Sequence, residues 1–270
     1  MLLDQPVQFA EAVKTLLDKH LMPTDMGSAE LKLVAAAIRR QATFSAHTLM
    51  VDHLKVIEDA VYSLISPTTG VSKDRETKDN PEGYVTSGLN PASARLDLKE
   101  SLRKLGYAPG PDERGTIKDL SSDQRINLVV KTNVELAQGA GHFIQGQDPD
   151  VLEAFPAQEL VRFVDHGVKN RNWPGRWQQA AAYCGDSDAA RVLTSYGRMV
   201  ARKDSPIWDA LGSGGLFDDA LDNPFPPFAF NSGMWVQDVD FETAETMGLA
   251  TLDNIPKPQS LDLADLFNET

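Results

Sequence analysis

Apolar positions in the first quarter of the chain recur at helical spacing. Phe9, Val13, Leu16 and Leu17 form one short stripe, which predicts a helix ended by Pro23, because proline has no amide to donate. Ser28 suits the N-cap of a longer helical stretch reaching Ile65. Its stripe changes face on the way. Leu31, Val34 and Ile38 lie on one side, and Leu54, Ile57, Val61 and Leu64 on another, with ATFSAHT between them. A kink or interruption near Ser45 is expected.

The run PTTGVSKDRETKDNPEGYVTSGLN has few large apolar residues and many turn formers, the composition of a long loop or linker. Asn90 and Pro91 then open a short helix that Gly106 closes, which matches the unpaired backbone groups at helix ends. Ser121 and Gln124 form a capping-box pattern ahead of an apolar series from Ile126 to Ile144, predicting a helix to about Gly146. Beyond Asp148, LVRFV and MWVQDV read as strands, with a helical stretch around Trp177 to Tyr183 between them. FETAETMGL follows as a helix capped by Asp240, and LDLADLF closes the chain as an acidic, apolar tail.

These elements predict an α+β protein in four parts: a helical N-terminal region over 1–66, a loop over 67–90, a central helix with a smaller mixed module over 91–250, and a tail over 251–270.

The densest signal is NPFPPFAFNSGMW. Pro224, Pro226 and Pro227 impose an irregular path, excluded from helices and central strands. Along it, Phe225, Phe228, Phe230 and Trp235 carry apolar surface that must pack on the domain itself or on a neighbour. Because the Asp240 helix follows so directly, closure of their own domain is expected. Trp208 joins this set as the start of the same aromatic-rich run.

The chain has 270 residues and a formal charge of −13. That charge argues against broad nucleic-acid binding, which depends on Lys and Arg displacing counterions. One local exception is RNWPGRW, where Lys169, Arg171 and Arg176 surround Trp173 and Trp177. Such interleaving meets phosphate or an acidic partner in some proteins, and closes an ordinary domain in more. The Ser28 to Ile65 stretch carries too many charges to cross a membrane, and the N-terminus lacks the pattern of a secretory signal. Cys184, the one cysteine, cannot form an internal disulfide and reads as a small buried hydrophobe in a reducing compartment.

Chemistry-bearing patterns are sparse. His20, His47, His53, His142 and His166 show no HExxH spacing and no cysteine pairing, so no zinc site is expected. Asp218, Asp219 and Asp222 lack EF-hand spacing and read as a solvated turn. Gly212, Gly214 and Gly215 have no P-loop context and read as a hinge or turn. Glu135 and Glu159 are isolated carboxylates. No cofactor is expected.

Several blocks taken in succession resemble the phage head morphogenesis proteins, minor head proteins similar to phage Mu protein F. They are ATFSAHT with DHLKVI, RINLVVKTNVELAQGAG, FPAQELVRF, RNWPGRW, and RMVARKDSPIWDALG running into NPFPPFAFNSGMWVQDVDFETAETMGL. The resemblance implies a virion protein, assembled in the host cytoplasm, present in few copies in the head and contacting portal or major capsid protein. Many relatives carry a His and Cys cluster where this chain has PPFAFNSGM, so a metal role does not transfer. The candidate interaction or packing residues are then Trp173, Arg176, Trp177, Trp208, Phe225, Phe228, Phe230 and Trp235. The rival expectation is a toxin-like enzyme, a nuclease or ADP-ribosyl transferase, using Glu159, Arg162 and His166. It requires those side chains to converge.

Overall fold

A computed structural model describes residues 10–31, 34, 42–43, 45–65, 70–71, 85–86, 91–163 and 171–259. Phe9, Ile38, Asn90, His166, Lys169 and the LDLADLF tail lie outside the described residues. The fold is α+β. The chain divides into two compact units, Met1–Gly141 and His142–Thr270.

In the first unit, α1 (Ala10–Leu17) buries Val13 and Leu16 while Leu17 faces solvent. The long stretch from Ser28 is interrupted more deeply than a kink. The helix α2 (Ser28–Leu31) is a single turn, and β1 (His20–Leu21) pairs in parallel with β2 (Ala42–Thr43). Among the described residues the next helix is α3 (Val51–Ile65), which follows a turn where His47 takes a positive φ of 57°. Within the ATFSAHT block, Ala42 and Thr43 therefore form a strand edge and Ala46 and His47 a turn, consistent with its lack of a helical stripe. A two-residue antiparallel pair, β3 (Gly70–Val71) with β4 (Val85–Thr86), interrupts the expected loop, whose remaining residues lie outside the described ones.

The helix α4 (Pro91–Lys104) ends as its sequence predicts. Gly106 sits at φ 74°, and the Tyr107 amide donates to the Leu102 carbonyl at 2.9 Å. Ala94 and Leu98 of α4 share one apolar cluster with Leu54, Ile57 and Val61 of α3 and Ile126 and Val130 of α5 (Asp123–Gly146). The helices on both sides of 67–90 thus belong to one core, and the division of the chain falls after Gly141, within α5. Ser122 Oγ, not that of Ser121, accepts from the Arg125 amide at 3.1 Å, because Ser121 Oγ donates to Asp119 Oδ1. The cap is one residue later than the sequence pattern suggests.

The second unit is built on a three-stranded antiparallel sheet ordered β6-β5-β7: β5 (Ala157–Arg162) lies between β6 (Val200–Arg202) and β7 (Met234–Val239). The β5 register pairs Ala157 with Val239 and Arg162 with Met234. Before it comes α6 (Pro149–Ala154), capped by Asp148. Between β5 and β6 lie α7 (Trp173–Cys184) and α8 (Ser187–Tyr196). Each starts with a side-chain cap, Asn172 to the Gly175 amide and Asp186 to the Ala189 amide, and each ends on a left-handed glycine, Gly185 and Gly197. A short helix, α9 (Ile207–Gly212), follows β6, and α10 (Phe241–Thr246) follows β7 with Asp240 as its cap.

Leu160 of β5 and Val236 of β7 pack with Trp177 and Ala181 of α7 and Trp208 and Leu211 of α9 in the main apolar cluster of this unit. A second cluster joins Ala157, Val192, Val200, Val239 and Met247. Helices on a sheet of this size supply most of the buried apolar surface, and hence most of the driving force.

Candidate functional site

The proline and aromatic segment begins where α9 ends. Gly212 O accepts from the Asp222 amide at 2.7 Å, and the Asp222 carboxylate accepts from the Gly214 amide at 2.6 Å, so the intervening residues return the chain to its starting point. From Asn223 to Ala229 every residue is buried. Three prolines and two phenylalanines on an irregular path leave carbonyls without ladder partners, and Asn223 supplies them. Its side-chain amide donates to the carbonyls of Phe225 and Pro227. The peptide between Pro226 and Pro227 is cis.

Aromatic rings fill the space beneath this loop. Trp208 stacks on Phe228 with ring centres 6.0 Å apart, and meets Trp177 edge-on at 5.4 Å. Both indoles are satisfied: Trp208 Nε1 donates to the Arg202 carbonyl and Trp177 Nε1 to that of Ala189. Phe225 tilts against Phe143 at 6.1 Å.

Arg176 ties α7 to the loop. Its guanidinium lies 3.8 Å from the centre of the Phe217 ring and 5.1 Å from that of Trp173, while Nη1 donates to Asp219 Oδ1 at 2.6 Å and Nη2 to the Leu211 carbonyl at 3.0 Å. Arg171 Nη2 holds the other Asp219 oxygen at 2.8 Å and also donates to the Phe230 carbonyl. Burial pushes the Asp219 pKa up, but the hydrogen bond and charge of Arg176, with the charge of Arg171, outweigh it and leave the carboxyl below its usual range. The expected solvated aspartate turn is therefore a clamp. The expected hinge at Gly212 is likewise a close backbone approach.

Six of the eight candidate residues, Trp173, Arg176, Trp177, Trp208, Phe225 and Phe228, are core. Two reach the surface. Phe230 is 41% exposed at the end of the loop, and Trp235 is half-buried on β7 with its ring 6.1 Å from that of His142.

Among the described residues considered for catalysis, Glu159, Arg162 and Glu135 are not brought together; His166 lies outside the described residues. Glu159 is gripped by Arg198 through two hydrogen bonds of 3.0 and 2.6 Å. Arg162 lies three residues along β5 and so projects from the opposite face. Glu135 pairs with Lys131 at 3.6 Å on α5. Cys184 is part-buried, and burial raises its thiol pKa, which suits a packing role. Among the described residues no group of three His, Cys, Asp or Glu is placed to hold a metal ion, and no helix is long and apolar enough to cross a membrane.

Two features escaped the sequence reading. Asn223 carried a local signal, since an asparagine opening a proline-rich turn commonly bonds the backbone just ahead. Lys203, 2% exposed and 2.8 Å from Asp238, carried none, because its burial arises only when β6 and β7 flank β5.

Compared with known proteins, the chain matches no family model, no curated protein and no solved structure.

Proposed function

We propose that this chain is a structural minor head protein of a tailed bacteriophage, acting in head morphogenesis through contacts with portal or major capsid protein. One observation carries the reading beyond the succession of sequence blocks. Four of the blocks that bear the resemblance build one core: FPAQELVRF supplies Leu160, RNWPGRW supplies Trp173 and Trp177, and the last two supply Trp208, Phe228 and Val236. These blocks, separate in sequence, thus pack as parts of one folded unit. The net charge of −13 favours protein contacts over contact with packaged DNA.

The test is mass spectrometry and cryo-electron microscopy of particles purified from the phage that encodes the chain. Retention in the mature head at low copy number is the expected result. Absence from particles would overturn the assignment, and presence only in immature heads would make the chain a scaffold instead. The enzyme reading has no converging set of side chains to favour it among the described residues.

A further inference from the structure

In the second unit the last turn of α5 lies beside Trp235, Asp238 and Lys203. His142 and Gly146, four residues apart, share one face of that helix. The half-buried His142 ring has its centre 6.1 Å from that of Trp235 on β7. A Cβ added at Gly146 would stand 3.6 Å from Lys203 Nζ, so the ammonium sits at the C-terminal end of α5, where the helix dipole favours a cation. Phe143 against Phe225, and the Gln259 amide donating to Gln147 Oε1 at 2.8 Å, also hold this stretch.

Lys203 is 2% exposed, and its Nζ lies 2.8 Å from Asp238 Oδ1 without an aligned hydrogen bond to it. Among the described residues, Asp238 is the one carboxylate within ion-pair distance of Lys203. The same two groups are the charges that act on His142, the carboxylate from β7 and the ammonium from just beyond β6. Two basic groups thus share one acid. While the imidazole is neutral, the charges balance. Once it is protonated, two cations face a single carboxylate. If Asp238 turns to His142, Lys203 becomes a buried cation without a counter-charge; if it stays, the imidazolium is the unpaired one. Burial lowers the His142 pKa, and Asp238, which raises it, and Lys203, which lowers it, leave it below its ordinary value.

We infer that His142, Asp238 and Lys203 form a proton-operated latch on the last turn of α5. With His142 neutral, the turn is held against β7. Protonation of the ring puts a second cation on the carboxylate that Lys203 needs, and releases the turn. Because the folded site disfavours the proton, the latch is closed above pH 6.5, the ordinary value for histidine, and loosens as pH falls below it. The device is independent of the head-protein reading, and each can fail without the other.

The test follows the full chain by NMR from about pH 8 to about pH 5, the range in which histidine changes charge. It records the His142 ring and the amide exchange of Phe143 to Gln147, corrected for the intrinsic pH dependence of exchange. Protection of those amides should fall together with protonation of the ring. His142→Gln keeps a polar side chain but cannot take up the proton, so the acid-induced loss should vanish in it. Lys203→Met removes the competing cation, so the His142 titration should move to higher pH and the turn should stay protected while the ring is charged. An equal loss of protection in His142→Gln would overturn the latch, as would a ring that titrates with no change in those amides. An unchanged His142 titration in a folded Lys203→Met protein would overturn it as well; the glutamine variant decides the matter if Lys203→Met does not fold.

Discussion

Gly212 and Asn223 approach so closely that a Cβ on Gly212 would lie 1.9 Å from the Asn223 carbonyl oxygen. No side chain fits there. Relief requires backbone movement at the junction of α9 with the proline loop, so Gly212→Ala is expected to cost about 3 kcal/mol or more. Gly214, two residues on, provides the control. A Cβ there would meet only the Asp222 carboxylate, at 3.0 Å, and that side chain can turn aside. Gly214→Ala should cost about 1 kcal/mol. Equilibrium urea unfolding measures both, and equal losses would dismiss the close approach as the cause.

Asn223 stands in for the strand neighbours that the loop lacks. It is 3% exposed and donates to two buried carbonyls. Asn223→Ala strands both acceptors, at an expected cost of about 2 kcal/mol. Asn223→Asp should fare no better, because a carboxylate cannot donate to either carbonyl. Matching stability of the aspartate and wild-type proteins in denaturant titrations would refute this role.

How far the sequence foretold this arrangement depends on the range of the interaction. Asp240, Gly106 and the strand MWVQDV were legible because caps, left-handed glycines and apolar alternation are local. The irregular path of Pro224 to Pro227 was legible for the same reason. The Arg176 clamp was not: its partners Asp219 and Leu211 lie 43 and 35 residues away, and Asp219 beside Asp218 looks like an ordinary polar turn. The hydrogen bond from Arg125 to Ser45 was equally hidden, since the two lie 80 residues apart. The interruption expected near Ser45 is present, but a loss of helical stripe does not reveal that Ala42 and Thr43 pair with His20 and Leu21.

His53 makes the first unit sensitive to acid. Burial lowers its pKa from 6.5 to about 4. Between those values the unfolded chain binds a proton that the folded unit refuses, so stability is full above pH 6.5 and falls as pH drops to about 4. Over that window the loss is about 3 kcal/mol, and below it His53 contributes no further slope. Carboxylates titrate in part of the same range, so the informative quantity is the difference between wild type and His53→Gln. That difference should change by about 3 kcal/mol between pH 7 and pH 4 in chemical denaturation; a constant difference would exclude His53 as the sensor.

Arg176 is the costliest side chain of the clamp to replace. Arg176→Met keeps much of the volume between Trp173 and Phe217 but leaves Asp219 to Arg171 alone and the Leu211 carbonyl without its donor. A loss of about 3 kcal/mol is expected. Arg176→Lys should recover little, because a single ammonium does not reproduce a planar fork that reaches Asp219 and Leu211 while lying on two rings. Recovery of more than half the lost stability by lysine would show that charge alone matters here.

Phe228 and Phe230 separate the two roles open to the aromatic segment. Phe228 is fully buried and stacks on Trp208, so Phe228→Ala should cost about 3 to 5 kcal/mol and reduce particle incorporation only through misfolding. Phe230 exposes 41% of its surface, and the hydrogen bonds that hold it are to its backbone: Arg171 donates to its carbonyl, and its amide donates to the Asp219 carbonyl. Phe230→Ser should therefore leave stability within about 0.5 kcal/mol. If the proposed head protein contacts its neighbours through this end of the loop, the serine variant will fold normally yet enter particles poorly, as read by quantitative mass spectrometry against the major capsid protein. Wild-type incorporation of Phe230→Ser would confine the whole segment to closing its own unit, and contacts would then have to be sought on other surfaces.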